Sequence, residues 1–296
     1  MNLTHTGILG FDVDFALPVV SMTAEDQGQL ERFVASGKKV RVRFNVQNRF
    51  TNGPVESANV VGEIRGRENP DQVLVVGAHL DAWDLSEGAT DNGTGSASVL
   101  GSAEAIVRSG MRPRRTIRFV LFTGEEQGLD GSFAYMKQHQ SEMGNHLGNL
   151  VLDNGQGPVK EFQLGGRDDL LASFRPFARS LSAIRDIPVT DKVESGTDTL
   201  PFSMAGLPGI NMDQDSPEYK YTHHSSADAL EAVKPEVLAQ NATLIALTAY
   251  WIADRPDRFA APWPAEKTAK MLRRQGQYDM LNAFHIWPYG ELGKDD

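Results

Sequence analysis

Two apolar stretches of this chain stop abruptly at histidine or acidic residues. Residues 73–83 read VLVVGAHLDAW, with ATDNGTG following at 89–95, and residues 117–132 read IRFVLFTGEEQGLDGS. Apolar runs of this density predict strands buried on both faces, as in a parallel sheet. Such a sheet needs helices above and below it, so the fold class is α/β. The polar residues then fall at the carboxyl ends of strands, where open α/β sheets form their crevice. His79, Asp81, Asp91, Glu125 and Glu126 are predicted along that edge. Asp153 after NLVL and His224 within YTHHSSAD complete a set of nitrogen and oxygen donors large enough for two zinc ions.

The strand–helix rhythm continues along the chain. Strands are predicted over 57–64, 72–78, 117–122, 150–152 and 187–190, and helices over 94–108, 131–139, 168–181, 235–253 and 265–278. Residues 201–208 read as a short helix entering a buried turn, and 287–290 as a segment docking on the core. In the helix over 235–253, Leu238, Ala242, Ile245, Ala249 and Ile252 recur by four and three, and Pro235 suits the first turn. The first fifty residues read differently. A short strand is predicted at 17–22, then a helix opened by Thr23 and closed by Gly37. A half-exposed strand is predicted over 39–48, where Val40, Val42 and Phe44 alternate with Arg41, Arg43 and Asn45.

Composition removes several chemistries. The chain has no cysteine, which excludes disulfides, thiol catalysis and thiolate metal sites. Lys and Arg total 29 against 39 Asp and Glu, so no nucleic-acid partner is expected. The longest apolar-rich stretch, 242–253, is too short for a transmembrane segment. The nucleophile elbow, the dinucleotide fingerprint, the phosphate loop and the H-E-x-x-H zinc helix are all absent. The opening MNLTHTGILGFDVDFALP lacks the basic and apolar regions of a signal peptide.

Each candidate ligand also has a structural reading when taken alone. His79 can be a core histidine. Asp91 can cap the helix that begins near Thr94. Asp153 can be a turn residue before Asn154-Gly155. Glu125-Glu126 resists such readings, because two adjacent carboxylates at a half-buried strand end repel unless a cation or proton is present. Asp81, two residues beyond His79, is placed to accept a hydrogen bond from the imidazole nitrogen turned away from the metal. Asp228, four residues after His224, is placed to support that histidine or its loop.

Together GAHLDAWDLSEGATDNGTG, FTGEEQGLDGS, the Asp of VLDNG, SGTDTLPFSMAGLPGI and HHSSAD resemble metallopeptidase family twenty-eight, in its carboxypeptidase Q-like branch. The resemblance covers roughly residues 57–255. It implies a three-layer α/β/α zinc-exopeptidase fold with a mostly parallel mixed sheet. It implies two zinc ions: His79 and Asp153 on one, Glu126 and His224 on the other, Asp91 bridging. Glu125 becomes the general base, with Asp81 behind His79 in the catalytic set. His223, Tyr219, Tyr221 and Asp198 are expected near substrate, Asp198 within a motif in which Thr199 stands where many relatives have His. The implied activity is hydrolysis of short peptides or dipeptides with a free amino end, by an aminopeptidase or dipeptidase. The alternatives are a non-catalytic zinc- or peptide-binding fragment and a glutaminyl cyclase-like or other amidohydrolase. Residues 1–50 resemble the C-terminal remnant of a protease-associated domain, leaving 51–296 as the catalytic domain. The chain is therefore read as truncated, with self-association into a homo-oligomer expected from an exposed sheet edge. An extracytoplasmic location, periplasmic or secreted, is implied by the resemblance alone.

Overall fold

The computed structural model describes residues 20–47 and 55–293, together with Thr6 and Gly53. In chain order the described elements are α1 (Ala24–Ala35), β1 (Val60–Ile64), β2 (Asn69–His79), α2 (Thr94–Ser109), β3 (Arg115–Phe122), α3 (Asp130–Gln138), β4 (His146–Val151) and β5 (Val159–Gln163). They continue with α4 (Leu171–Ser180), β6 (Val189–Thr190), α5 (Leu200–Met204), β7 (Gly209–Gln214), α6 (Tyr219–Thr222), α7 (Pro235–Asp254), α8 (Ala265–Arg274) and α9 (Tyr278–Ala283). The strands form one sheet in the order β1-β3-β2-β4-β7-β5-β6. The pairs β3–β2, β2–β4, β4–β7 and β5–β6 are parallel, whereas β1–β3 and β5–β7 are antiparallel. The sheet is therefore mixed with a parallel centre.

Strand β2 organises the layers. Side chains alternate across a strand, and here both sets are buried. Leu74, Val76 and Ala78 pack with Val99 and Ile106 of α2 and with Ile245 and Ala249 of α7. Val73 and Val75 share the opposite layer with Tyr135 of α3 and Phe202 of α5. The chain leaves β2 for β3 through α2, then reaches β4 on the other flank of β2 through α3. The carboxyl end of β2 is thus a topological switch point, where connections diverge and a crevice opens. A third apolar cluster, around Leu129, Leu200, Met271, Leu272 and Leu281, joins α3, α5, α8 and α9 beside that crevice.

The predicted elements from residue 57 onward appear with shifted ends, and Trp287 and Tyr289 pack onto the third cluster as expected. The expected helix after Thr23 is α1, and Thr23 accepts the Asp26 N–H. The strand expected over 39–48 is not formed at 39–47, which is largely exposed and irregular; Asn48 lies outside the described residues. Alternation supplies two faces, but a strand also needs a neighbour to receive its hydrogen bonds. Of the strand expected at 17–22, residues 17–19 lie outside the described residues and 20–22 are irregular. Strands β5 and β7 and helices α6 and α9 were not anticipated.

Candidate metal centre

Four connections at the sheet's carboxyl edge converge on one point, and hydrogen bonds hold them so that particular side chains are aimed there. His79 ends β2 and is buried, with its carbonyl accepting the Ser96 hydroxyl at 2.7 Å. Its Nδ1 donates to the backbone carbonyl of Asp81 at 2.9 Å, which turns Nε2 toward the cluster.

The expectation for Asp81 needs correction here. Its carboxylate lies 3.8 Å from His79 Nδ1 and instead accepts the N–H groups of Glu125 and Glu126, both at 3.2 Å. A spacing of two residues places a carbonyl as close as a carboxylate, and the carbonyl wins. The Asp81 side chain therefore secures the Glu125-Glu126 turn.

Asp91 sits in the turn before α2. Asp228 accepts the N–H groups of Thr90 and Asp91 at 2.6 and 3.1 Å, so it supports the Asp91 loop from the His224 loop. The capping role open to Asp91 is taken by Asn92, whose Oδ1 accepts the Gly95 N–H at 2.9 Å and whose amide donates to Leu152 O at 3.0 Å. A Cβ on Gly95 would lie 2.1 Å from Asn92 Oδ1 and 2.4 Å from Leu152 O, so only glycine lets α2 approach the end of β4 this closely. Asp153 follows β4. Gln214 holds the loop after it, accepting from Asn154 N at 3.0 Å and donating to Gly155 O and Gly157 O at 2.8 and 2.7 Å.

The result is a compact array. His79 Nε2 lies 3.0 Å from Asp153 Oδ1, 3.2 Å from Asp91 Oδ1 and 4.0 Å from Glu125 Oε2. His224 Nε2 lies 2.8 Å from Glu126 Oε2 and 3.4 Å from Asp91 Oδ2. The two oxygens of Asp91 thus face two different histidines. His79, Asp91 and Glu126 form one compact group of donors, and Asp91, His223 and His224 a second. Both groups contain Asp91. The shortest separations pair Asp153 with His79 and Glu126 with His224, more tightly than these groupings do. Trp83, at the end of the first motif, also reaches this centre: its indole N–H donates to Glu126 Oε2 at 2.8 Å.

The electrostatics are those of a site built for cations. Burial lowers the proton affinity of His79, but Asp153, Asp91 and Glu125 overrule it and hold its pKa well above the usual imidazole range. Burial, then the neighbouring Asp153, pushes Glu125 well above the carboxylate range. Burial pushes Asp153 up to about 6. Burial works on Asp91 in the same direction, but the surrounding histidines bring its pKa below the ordinary value. Asp91 Oδ2 and Glu126 Oε1 are buried without a hydrogen-bond partner. Paired carboxylates with unshared lone pairs beside imidazoles fit two divalent ions, and the nitrogen–oxygen donor set is that of zinc.

The remaining expected residues divide. Tyr219 is beside Asp91, and burial together with that carboxylate pushes its phenol well above the ordinary value. His223 stacks on His224 at 3.7 Å between ring centroids. Both Tyr219 and His223 line a cavity of about 560 Å³ that also includes Asp91, Glu125, Glu126, Asp153 and His224. Tyr221 does not line it and is 46% exposed. Asp198 is fully buried, with burial pushing it up to about 7, and it is its neighbours Ser195, Gly196 and Thr197 that line the cavity. A larger groove of about 1030 Å³, between α2, α4 and α7, contains none of these groups.

Residues 59–249 match the family model described as Peptidase family M28. The chain belongs to peptidase family M28. It is 32% identical over 254 residues to carboxypeptidase Q of Xenopus laevis, covering 84% of this chain and 53% of that protein. The chain spans about half the length of the curated relatives it matches. The crystal structure of a Peptidase M28 precursor from Shewanella amazonensis aligns with a TM-score of 0.77 at 26% identity, covering 89% of this chain and 60% of that one. A zinc aminopeptidase from Bacillus subtilis shares the fold, with a TM-score of 0.58 at 24% identity over 69% of this chain and 52% of that one. Family membership and the two donor groups that share Asp91 agree on a two-metal centre.

Proposed function

We propose that this chain is the catalytic part of a two-zinc exopeptidase acting on short peptides or dipeptides with a free amino end. The observation that carries the reading is the division of Asp91 between His79 and His224. His79 and Asp153 would hold one ion, Glu126 and His224 the other, and Asp91 both. Bound zinc supplies Lewis acidity, which makes a water more acidic and draws charge from a carbonyl oxygen.

The protein's own groups do the rest. Glu125 borders the cavity and His79, and it acts as the general base, taking a proton from the attacking water and returning it to the leaving amine. The Tyr219 hydroxyl is the candidate donor to the oxygen that becomes anionic, because it reaches the cavity beside Asp91. Leu129, Leu200, Met280, Phe284 and Ile286 form an apolar wall of the same cavity, which suits a substrate with an apolar side chain.

Three further readings rest on the resemblance. Residues 1–50 belong to a protease-associated domain ahead of a catalytic domain at 51–296, a division supported by the lack of buried residues in α1. Self-association is supported by Val60 and Val61, exposed on edge strand β1. An extracytoplasmic location is supported by family membership. Among the described residues no helix is long and apolar enough to cross a membrane.

A panel of dipeptides and aminoacyl reporters, assayed with zinc and with chelator, tests the reading. Turnover that disappears on chelation and returns with zinc is expected. Turnover indifferent to chelation would overturn the mechanism.

A further inference from the structure

Trp83 belongs to the loop that follows β2, yet it touches both side chains assigned to the second ion. Its Nε1–H donates to Glu126 Oε2 at 2.8 Å. Its ring meets that of His224 edge-on, with 5.9 Å between centroids and an interplanar angle of 62°. Glu126 Oε1 is buried with no hydrogen-bond partner. An indole N–H is a donor only, so it can fix one carboxylate oxygen without competing for a cation. With Oε2 held, rotation of the Glu126 carboxylate is restricted and Oε1 remains available. The edge contact restricts His224 in the same way.

We propose that Trp83 is a positioning residue for the second metal: it orients the Glu126 carboxylate and the His224 ring. The inference rests on the two-metal reading of the centre. The indole N–H is directed at Glu126, whereas the orientation of His79 and Asp153 comes from the Asp81 carbonyl and from the loop held by Gln214. Loss of the indole N–H therefore acts on one ion of the pair. Outer hydrogen bonds to metal ligands are typically worth 10–100-fold in affinity.

Trp83→Phe keeps an aromatic edge for His224 and removes the N–H. The metal-free protein and this variant are titrated with zinc or cobalt, and stoichiometry and affinity are read by calorimetry and cobalt absorption. The first equivalent should bind as in the parent protein, and the second about 10–100-fold more weakly. A second equivalent of unchanged affinity would overturn the proposal, as would an equal weakening of both, which is the mark of a general structural role. Fewer than two ions in the parent protein would instead overturn the two-metal reading. A second measurement needs no variant. One of the four indole N–H resonances of the parent protein should exchange slowly and move as the second equivalent of zinc is added. If none of the four responds to that equivalent, the proposal fails.

Discussion

Two histidines are buried almost equally at opposite ends of the same sheet. His79 closes β2 at 1% exposure, and His146 opens β4 at 0%. Their surroundings differ in kind. His146 Nδ1 donates to Glu142 O at 3.1 Å, and the Tyr135 hydroxyl donates to its Nε2 at 2.8 Å. Arg118 donates to that hydroxyl at 2.7 Å and pairs outward with Glu63 at 2.6 Å. Each donor has an acceptor within the protein, and no carboxylate touches the ring. Burial brings His146 down to about 4. His79 is ringed by acids whose lone pairs outnumber the protons available, and its proton affinity rises. Burial alone therefore does not make a histidine functional. What separates the two is whether the protein itself completes the hydrogen bonds.

The sharpest break between the two ends should come from Glu125→Gln. Steady-state assays should show turnover reduced roughly 10²–10⁴-fold, while elemental analysis finds zinc content unchanged. Activity equal to the parent would place the base elsewhere. His146→Ala is the opposite test. It removes a packed ring and two hydrogen bonds, so denaturant unfolding should show a loss of about 2–4 kcal/mol. Zinc content and kcat should stay near parental values, since the ring lies at the far end of the sheet.

A smaller effect separates the ends by pH. The folded pKa of His146 lies below its unfolded value of 6.5, so its contribution to stability is fully present above pH 6.5. It is lost as pH falls from 6.5 toward about 4, because the unfolded chain binds the proton first. A tenfold change in proton affinity is about 1.4 kcal/mol, so the full loss amounts to roughly 3 kcal/mol. The stability difference between the parent and His146→Ala should shrink across this window. A difference that stays flat would mean that the folded and unfolded chains bind this proton equally across the window, so that burial does not depress the His146 pKa.

The contrast also shows which features a sequence exposes. His79, Glu125 and Glu126 were legible because each interrupts an apolar run that only a buried strand accounts for. Asp153 and His224 gained force from company rather than from their own surroundings. Other features depended on tertiary partners. Trp83 reads as one more apolar residue until its N–H is seen against Glu126. In β7, Asn211 and Gln214 break the apolar pattern and hid the strand, yet both are buried and bonded to the loop that carries Asp153. For Asp81 the spacing was informative about proximity and silent about which oxygen would bond. Residues 39–47 have the alternation of a strand, but among the described residues no adjacent strand pairs with them.

Anomalous diffraction at the zinc edge, from crystals of the zinc-loaded protein, tests the central claim most directly. Two peaks should flank the Asp91 carboxylate, one against His79 and Asp153 and the other against Glu126 and His224, with none beside His146. A single peak, or two peaks that do not share Asp91, would contradict the account.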